Sequence, residues 1–286
     1  MTSFTCRILA PLALIAMSTG AQAASIFNGG TIFLSSTILT GASASTFGSI
    51  TSLGVGERET FDRRSNNWVT QDMYLFKTDF LDGLSPEVRV NMEFDAAAAL
   101  QQAIFYSGII GKLPTVLRGD VQSVWIHGGV EGFGGGNDSL LIHTGQGESY
   151  DRSGILEETF VHEATHTSLD PSLANSAGWL SAQQADNMFI SPYAEQYSDR
   201  EDLAETFLMW LALQYNPTAL RPDQVGAIQQ GIPNRIKFLN EQNFNLYPFG
   251  TAGVVPEPAA WMTMLTGFGL VGATLRRRRR VRVTFA

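Results

Sequence analysis

The residues of this sequence best placed to do chemistry are His162-Glu163-Ala164-Thr165-His166. An α-helix turns once in about 3.6 residues, so histidines four apart share one face and both imidazoles can reach a single metal ion. Glu163 projects about 100° away from His162, where its carboxylate can stand beside that metal and take a proton from water. The chain has only four histidines in 286 residues, which makes a chance pair on an amphipathic helix the poorer explanation. The spacing predicts one zinc ion per chain, bound by His162 and His166, with Glu163 as general base.

Such a pair must sit on a helix, and the flanks supply one over residues 154–169. Ser153 or Asp151 can cap its start, Glu157 and Glu158 place negative charge in its first turns, and Pro171 ends it. A hydrolytic zinc site needs a third protein ligand and an open position. Thiolate is unavailable, because the only cysteine, Cys6, lies in the N-terminal export signal described below. A third histidine ten residues after the first is absent too, since position 172 is Ser172 and the glycine such a turn needs is replaced by Leu169. The remaining choice is a carboxylate. Glu201 and Glu205 lie four apart on a helix expected from about 199 to Tyr215, one able to bind the metal while the other accepts the N–H of a ligating histidine. Glu201 also completes a Ser198-x-x-Glu201 capping box, a role that needs no metal but leaves Glu205 unaccounted for. Asp170 and Asp186 are further carboxylates within reach, whereas His127 and His143, each in a β-prone run, read as ordinary polar strand residues rather than ligands.

The rest of the chain supplies strands and helices to hold these elements. Residues 24–56 are rich in Ser, Thr, Gly and Ala and read as an edge strand or loose arm. Short β-prone runs follow at 68–69, 73–76 and 88–94, divided by Asp82-Gly83 and Pro86. Asp95 caps a helix to about Ile110, with Leu100, Ile104, Ile109 and Ile110 expected inside and Gly111 and Pro114 as its stop. Strands at 121–127 and 140–143 enclose a Gly-rich stretch, 128–138, that is followed by a strand rather than a helix and so is no dinucleotide fingerprint. The stretch reads as a flexible hairpin connection, or else the strand ending at His143 is a sheet edge on which an extended peptide pairs. A short helix or covering loop over 175–188 and one or two helices from Pro222 to Tyr247 complete an α+β fold, a small mixed sheet packed on helices with the metal at their junction.

The H-E-x-x-H helix, followed by Tyr193-Ala194 and then by Glu201-Asp202-Leu203-Ala204-Glu205-Thr206-Phe207, resembles the gluzincin metallopeptidases, in particular the lethal-factor-like group whose second helix reads E-x-x-A-E. The resemblance spans about 120–215 and implies a zincin-like fold in which Glu201 is the third zinc ligand, Glu205 the acid behind a ligating histidine and Glu163 the base. It further implies a tyrosine that stabilises the oxyanion, Tyr193 by its offset with Tyr197 as rival. The activity implied is hydrolysis of peptide bonds in a protein or peptide substrate. A surface or matrix binding protein with a retired peptidase fold, and a zinc hydrolase of a non-peptide amide, are the alternatives.

The termini speak to location. Arg7, the apolar run Ile8–Met17 and Ala21-Gln22-Ala23 form a signal peptide over 1–23. At the other end, Val255-Pro256-Glu257-Pro258, an apolar segment over 259–275 and the Arg276–Arg280 cluster resemble a PEP-CTERM sorting tail, placed at 251–286. That implies export in a Gram-negative bacterium to the periplasm, the outer surface or the polysaccharide matrix, handling by the secretion machinery and an exosortase, and only transient membrane contact through the tail. The whole chain has 19 basic and 27 acidic residues, net −8; without the seven terminal arginines and Glu257, residues 24–255 keep 12 bases against 26 acids, net −14. An acidic body of this kind has little affinity for nucleic acid.

Overall fold

The computed structural model describes residues 24–249; the signal peptide and sorting tail expected from the sequence lie outside the described residues. In chain order the elements are β1 (Ala24–Ser25), β2 (Phe47–Asp62), β3 (Asn67–Phe80), β4 (Glu87–Asn91), α1 (Ala96–Ile110), α2 (Thr115–Arg118), β5 (Ser123–His127), β6 (Gly134–Gly136) and β7 (Ser139–His143). They continue with α3 (Thr144–Arg152), α4 (Leu156–Ser168), α5 (Ala177–Ala185), β8 (Met188–Phe189), α6 (Pro192–Gln196), α7 (Asp202–Tyr215), α8 (Pro222–Gly231) and α9 (Pro233–Asn240). The fold is α+β, with a six-stranded mixed sheet ordered β2-β3-β4-β5-β7-β6. β4, β5 and β7 run parallel and the other neighbours antiparallel. The parallel strands β5 and β7 are buried along their whole length, as central strands covered on both faces must be.

One face of those strands, Val124, Ile126, Leu140 and Ile142, packs in a common core with Phe160, Val161 and Ala164 of α4 and with α1. Burying each large side chain here contributes about 1.5–3 kcal/mol, which anchors the helix that carries His162 and His166. The opposite face is covered by the long β2–β3 hairpin, whose Trp68 stands edge-on to Trp125 at 5.5 Å. Helix α1 is capped by Asp95, which accepts from Ala98 N–H at 2.8 Å, as the sequence predicts. Its inner side differs from expectation. Leu100 and Ile104 are exposed, while Ala99, Ala103, Tyr106 and Ser107 join Ile109 and Ile110 inside, because small residues let the helix approach the sheet closely and carry Tyr106 to Phe133 and Phe160.

Three further expectations are corrected. The strand ending at His143 is not a sheet edge: β7 lies between β5 and β6, and the edge is the glycine strand β6. That stretch is therefore not merely a connection. Asn137 and Asp138, both at positive φ (50° and 53°), make the two-residue turn that returns β6 to β7. Nor do Ser153 or Asp151 cap the helix of the histidines. They belong to α3 and the turn after it, and α4 starts at Leu156 behind Ile155, with no side-chain cap. Pro171 does not stop the chain's coiling at once either, since one π-type turn over Asp170–Ala174 follows α4.

Candidate metal centre

Helix α4 presents His162 and His166 side by side, and the start of α7 brings Glu201 to them. Their Nε2 atoms are 3.1 Å apart, and Glu201 Oε2 is 3.3 Å from each. Glu201 is the residue preceding α7 and makes no capping hydrogen bond, so the capping-box role is not the one its carboxylate plays. Behind each imidazole stands another acid. Asp170 Oδ2 lies 2.7 Å from His166 Nδ1, and Glu205 Oε1 lies 3.7 Å from His162 Nδ1. Glu205 is itself fixed from the N-terminal arm, where Thr31 N–H donates to its Oε2 at 2.8 Å.

The 2.7 Å contact with Asp170 favours a proton on His166 Nδ1, whereas His162 Nδ1 lies beyond hydrogen-bond distance of Glu205 and is buried without a partner. Both Nε2 atoms face Glu201 Oε2, which is buried and makes no hydrogen bond. Such an arrangement calls for a positive charge at its centre. Electrostatics agree: although burial opposes charge on His166, its contacts with Asp170 and Glu201 push its pKa up to about 10. Burial likewise opposes ionisation of Glu201, yet the two imidazoles hold it well below the usual carboxylate range. The spacing fits a metal ion. Ligands about 2.0–2.2 Å from a tetrahedral ion stand roughly 3.3 Å from each other, and the three separations here are 3.1, 3.3 and 3.3 Å. Among the described residues, His162, His166 and Glu201 form the one group of three such ligands.

The surroundings are a groove. A cleft of about 410 Å³ is lined by His162, Glu163, His166, Tyr193, Glu201 and the β6 glycines. A second cavity of about 400 Å³ meets it at His162, Glu163 and Tyr193 and is walled by Ile32 and Phe33 of the N-terminal arm with Tyr150 and Thr159. Glu163 thus borders both. Tyr193 O–H donates to Glu201 Oε1 at 3.0 Å; burial and then the Glu201 charge push its pKa up to about 12, so the phenol keeps its proton at neutral pH. Tyr197 is directed elsewhere, its hydroxyl accepting from Gln196, its ring under the Arg200 guanidinium and edge-on to Tyr193.

The other sequence candidates separate from this centre. His127 and His143 are register partners on β5 and β7 and stack on each other at 5.7 Å. Asp186 joins Asp202 around the fully buried Arg235, which clamps the first turn of α7 and with it Glu201. Sequence reasoning missed the orienting role of Asp170, although its place four residues after His166 puts it on the same helix face. It also missed Thr31 and the arm, for which no local signal exists. Comparisons with known protein families, with curated proteins and with solved structures found nothing that matches this chain.

Proposed function

We propose that this chain is an exported zinc-dependent endopeptidase of zincin-like fold. The observation that carries the reading is the convergence of His162 Nε2, His166 Nε2 and Glu201 Oε2, three possible ligand atoms at tetrahedral spacing, with Glu163 beside them. The resemblance of both helices to the gluzincin pattern supports it. Zinc held there supplies Lewis acidity at the scissile carbonyl and makes water acidic near neutral pH. Glu163 takes the proton as the water oxygen attacks the carbonyl carbon, then delivers it to the amine nitrogen as the C–N bond breaks. Tyr193, protonated at neutral pH, donates to the oxygen on which charge develops. Asp170 favours the His166 tautomer that offers Nε2, and Glu205 sets a carboxylate 3.7 Å behind His162 Nδ1.

The groove favours an extended substrate over a small amide. It runs from the arm cavity past Glu163 to the β6 glycines, and the outer side of β6 carries no further strand among the described residues. A peptide can add there as a strand. The signal and tail patterns place the enzyme outside the cytoplasm. The test is proteolysis of unfolded casein by the purified full chain beside Glu163→Gln. Cleavage by the parent and a loss of at least about 10²-fold in the variant, with zinc retained, is expected. Equal cleavage by both would remove Glu163 from the mechanism, and zinc binding without cleavage by the parent would favour a non-peptide amide.

A further inference from the structure

A third cavity, of about 250 Å³, opens across the β6 strand from the metal. Its walls are Phe61, Trp68, Trp125 and Leu141, with Trp68 edge-on to both other rings at 5.7 and 5.5 Å. Among the described residues Arg63, at the tip of the β2–β3 hairpin, is the one charged side chain lining it, and Arg63 lines the central cleft as well. Its neighbour Arg64 is neutralised by Asp62 and Glu93 at 2.8 and 2.7 Å. Arg63 has no acidic partner among the described residues. The other cation at the cleft, Arg200, is already 3.6 Å from Glu201 and stacked on Tyr197.

The glycine strand is shaped to admit this guanidinium. A Cβ on Gly134 would stand 2.7 Å from Arg63 Nη2, and one on Gly132 3.3 Å from Nη1. Besides Arg200, which Glu201 and Tyr197 engage, the charged residues of the cleft are the acids Glu163, Asp170 and Glu201, so an unpaired cation held against its edge strand is the exception. A peptide added to the outer edge of β6 turns alternate side chains toward the helix face and toward the opposite face, and the opposite face is this aromatic cavity.

Resting on the peptidase reading above, the geometry points to a substrate subsite in this cavity that takes a carboxylate-bearing side chain, with Arg63 as the residue that selects it. Glutamate fits best. Its methylenes lie against the indole rings while its carboxylate meets the planar fork of the guanidinium, for which a second pair of N–H donors is available. Aspartate is shorter, and lysine would meet Arg63 with like charge.

The test is binding, measured separately from cleavage. The zinc-loaded full chain carrying Glu163→Gln is titrated with end-blocked hexapeptides of alanine and serine in which a single Glu, Gln or Lys is walked along the positions, read by calorimetry and by quenching of tryptophan fluorescence. At one position Glu binds about tenfold more tightly than Gln, an advantage that shrinks with added salt. Adding Arg63→Ala removes the Glu preference, and adding Arg63→Glu turns it toward Lys. Equal binding of Glu and Gln at every position, or a Glu preference that persists without Arg63, overturns the proposal. A second peptide set carries a free C-terminal carboxylate and no Glu; Arg63-dependent binding of that set alone would overturn the side-chain subsite in favour of a C-terminal anchor. Parallel cleavage assays with Glu163 intact separate the two readings. An Arg63-dependent Glu preference in binding without cleavage leaves the subsite standing and the peptidase reading refuted, whereas cleavage without any Glu preference does the reverse.

Discussion

Replacing Gly135 by alanine tests how the groove is built. Strand β6 lies directly on helix α4 at Glu163, the proposed base: a Cβ on Gly135 would fall 1.8 Å from the Glu163 carbonyl oxygen and 2.7 Å from its carbonyl carbon. Non-bonded carbon and oxygen stay about 3 Å or more apart, so strand and helix must separate by roughly 1 Å. Neither contact atom is a flexible side-chain end. Overpacking of this kind costs about 1–3 kcal/mol, which for a domain of this size lowers the melting temperature by several degrees, roughly 2–4 °C per kcal/mol. A displacement of about 1 Å at the base costs on the order of 10²-fold in rate. Gly136→Ala is the control, because its position has φ +109° but nothing within 4 Å of a new Cβ. It stores backbone strain of about 1–3 kcal/mol without touching Glu163. Thermal melts and kcat/KM on a casein-derived peptide should therefore show similar destabilisation in both variants but a much larger loss of activity in Gly135→Ala. A Gly135→Ala protein that melts like the parent and cleaves within about threefold of it would refute the packing argument.

Zinc affinity should fall about 10–100-fold in Glu205→Gln and in Asp170→Asn, measured by competition with a chromophoric chelator, because each loses the negative charge behind an imidazole of the centre. Arg235→Met leaves Asp186 and Asp202 buried without their cation and should destabilise by about 3–5 kcal/mol in urea unfolding. Two buried groups oppose each other in pH dependence. Burial lowers the His127 pKa to about 4, so its contribution to stability is lost as pH falls from about 6.5 toward 4. Burial raises that of Glu158 to about 7, so its contribution is lost as pH rises from about 4.5 toward 7. Urea midpoints of the parent should vary little across that window, those of His127→Asn should fall with rising pH, and those of Glu158→Gln should fall with falling pH.

How much of this was legible in the sequence follows from the range of each interaction. The grouping of His162, His166 and Glu201 was legible because helical spacing fixes which residues share a face, and the structure brings these three together. The cap at Asp95 and the course of α1 were legible for the same local reason, but its inner face was not. The hydrophobic pattern favoured Leu100 and Ile104, whereas close packing on the sheet favoured Ala99 and Ala103. The order of strands depends on pairing between distant segments, and hence the glycine stretch read as a connection when it is the sheet edge. Thirty residues of low-charge arm gave no sign that Thr31 would reach Glu205, or that Ile38 N–H would donate to Glu158, across more than 100 positions of sequence. Arg63 likewise gains meaning only when the hairpin tip folds over β6.

The most direct measurement is zinc content after dialysis against a weak chelator, on the full chain, Glu163→Gln and Glu201→Ala. Three converging ligand atoms predict one zinc per chain in the first two and a loss of metal in Glu201→Ala, since two imidazoles alone leave the ion under-coordinated. No zinc in the parent, or zinc retained in full by Glu201→Ala, would contradict the centre formed by His162, His166 and Glu201.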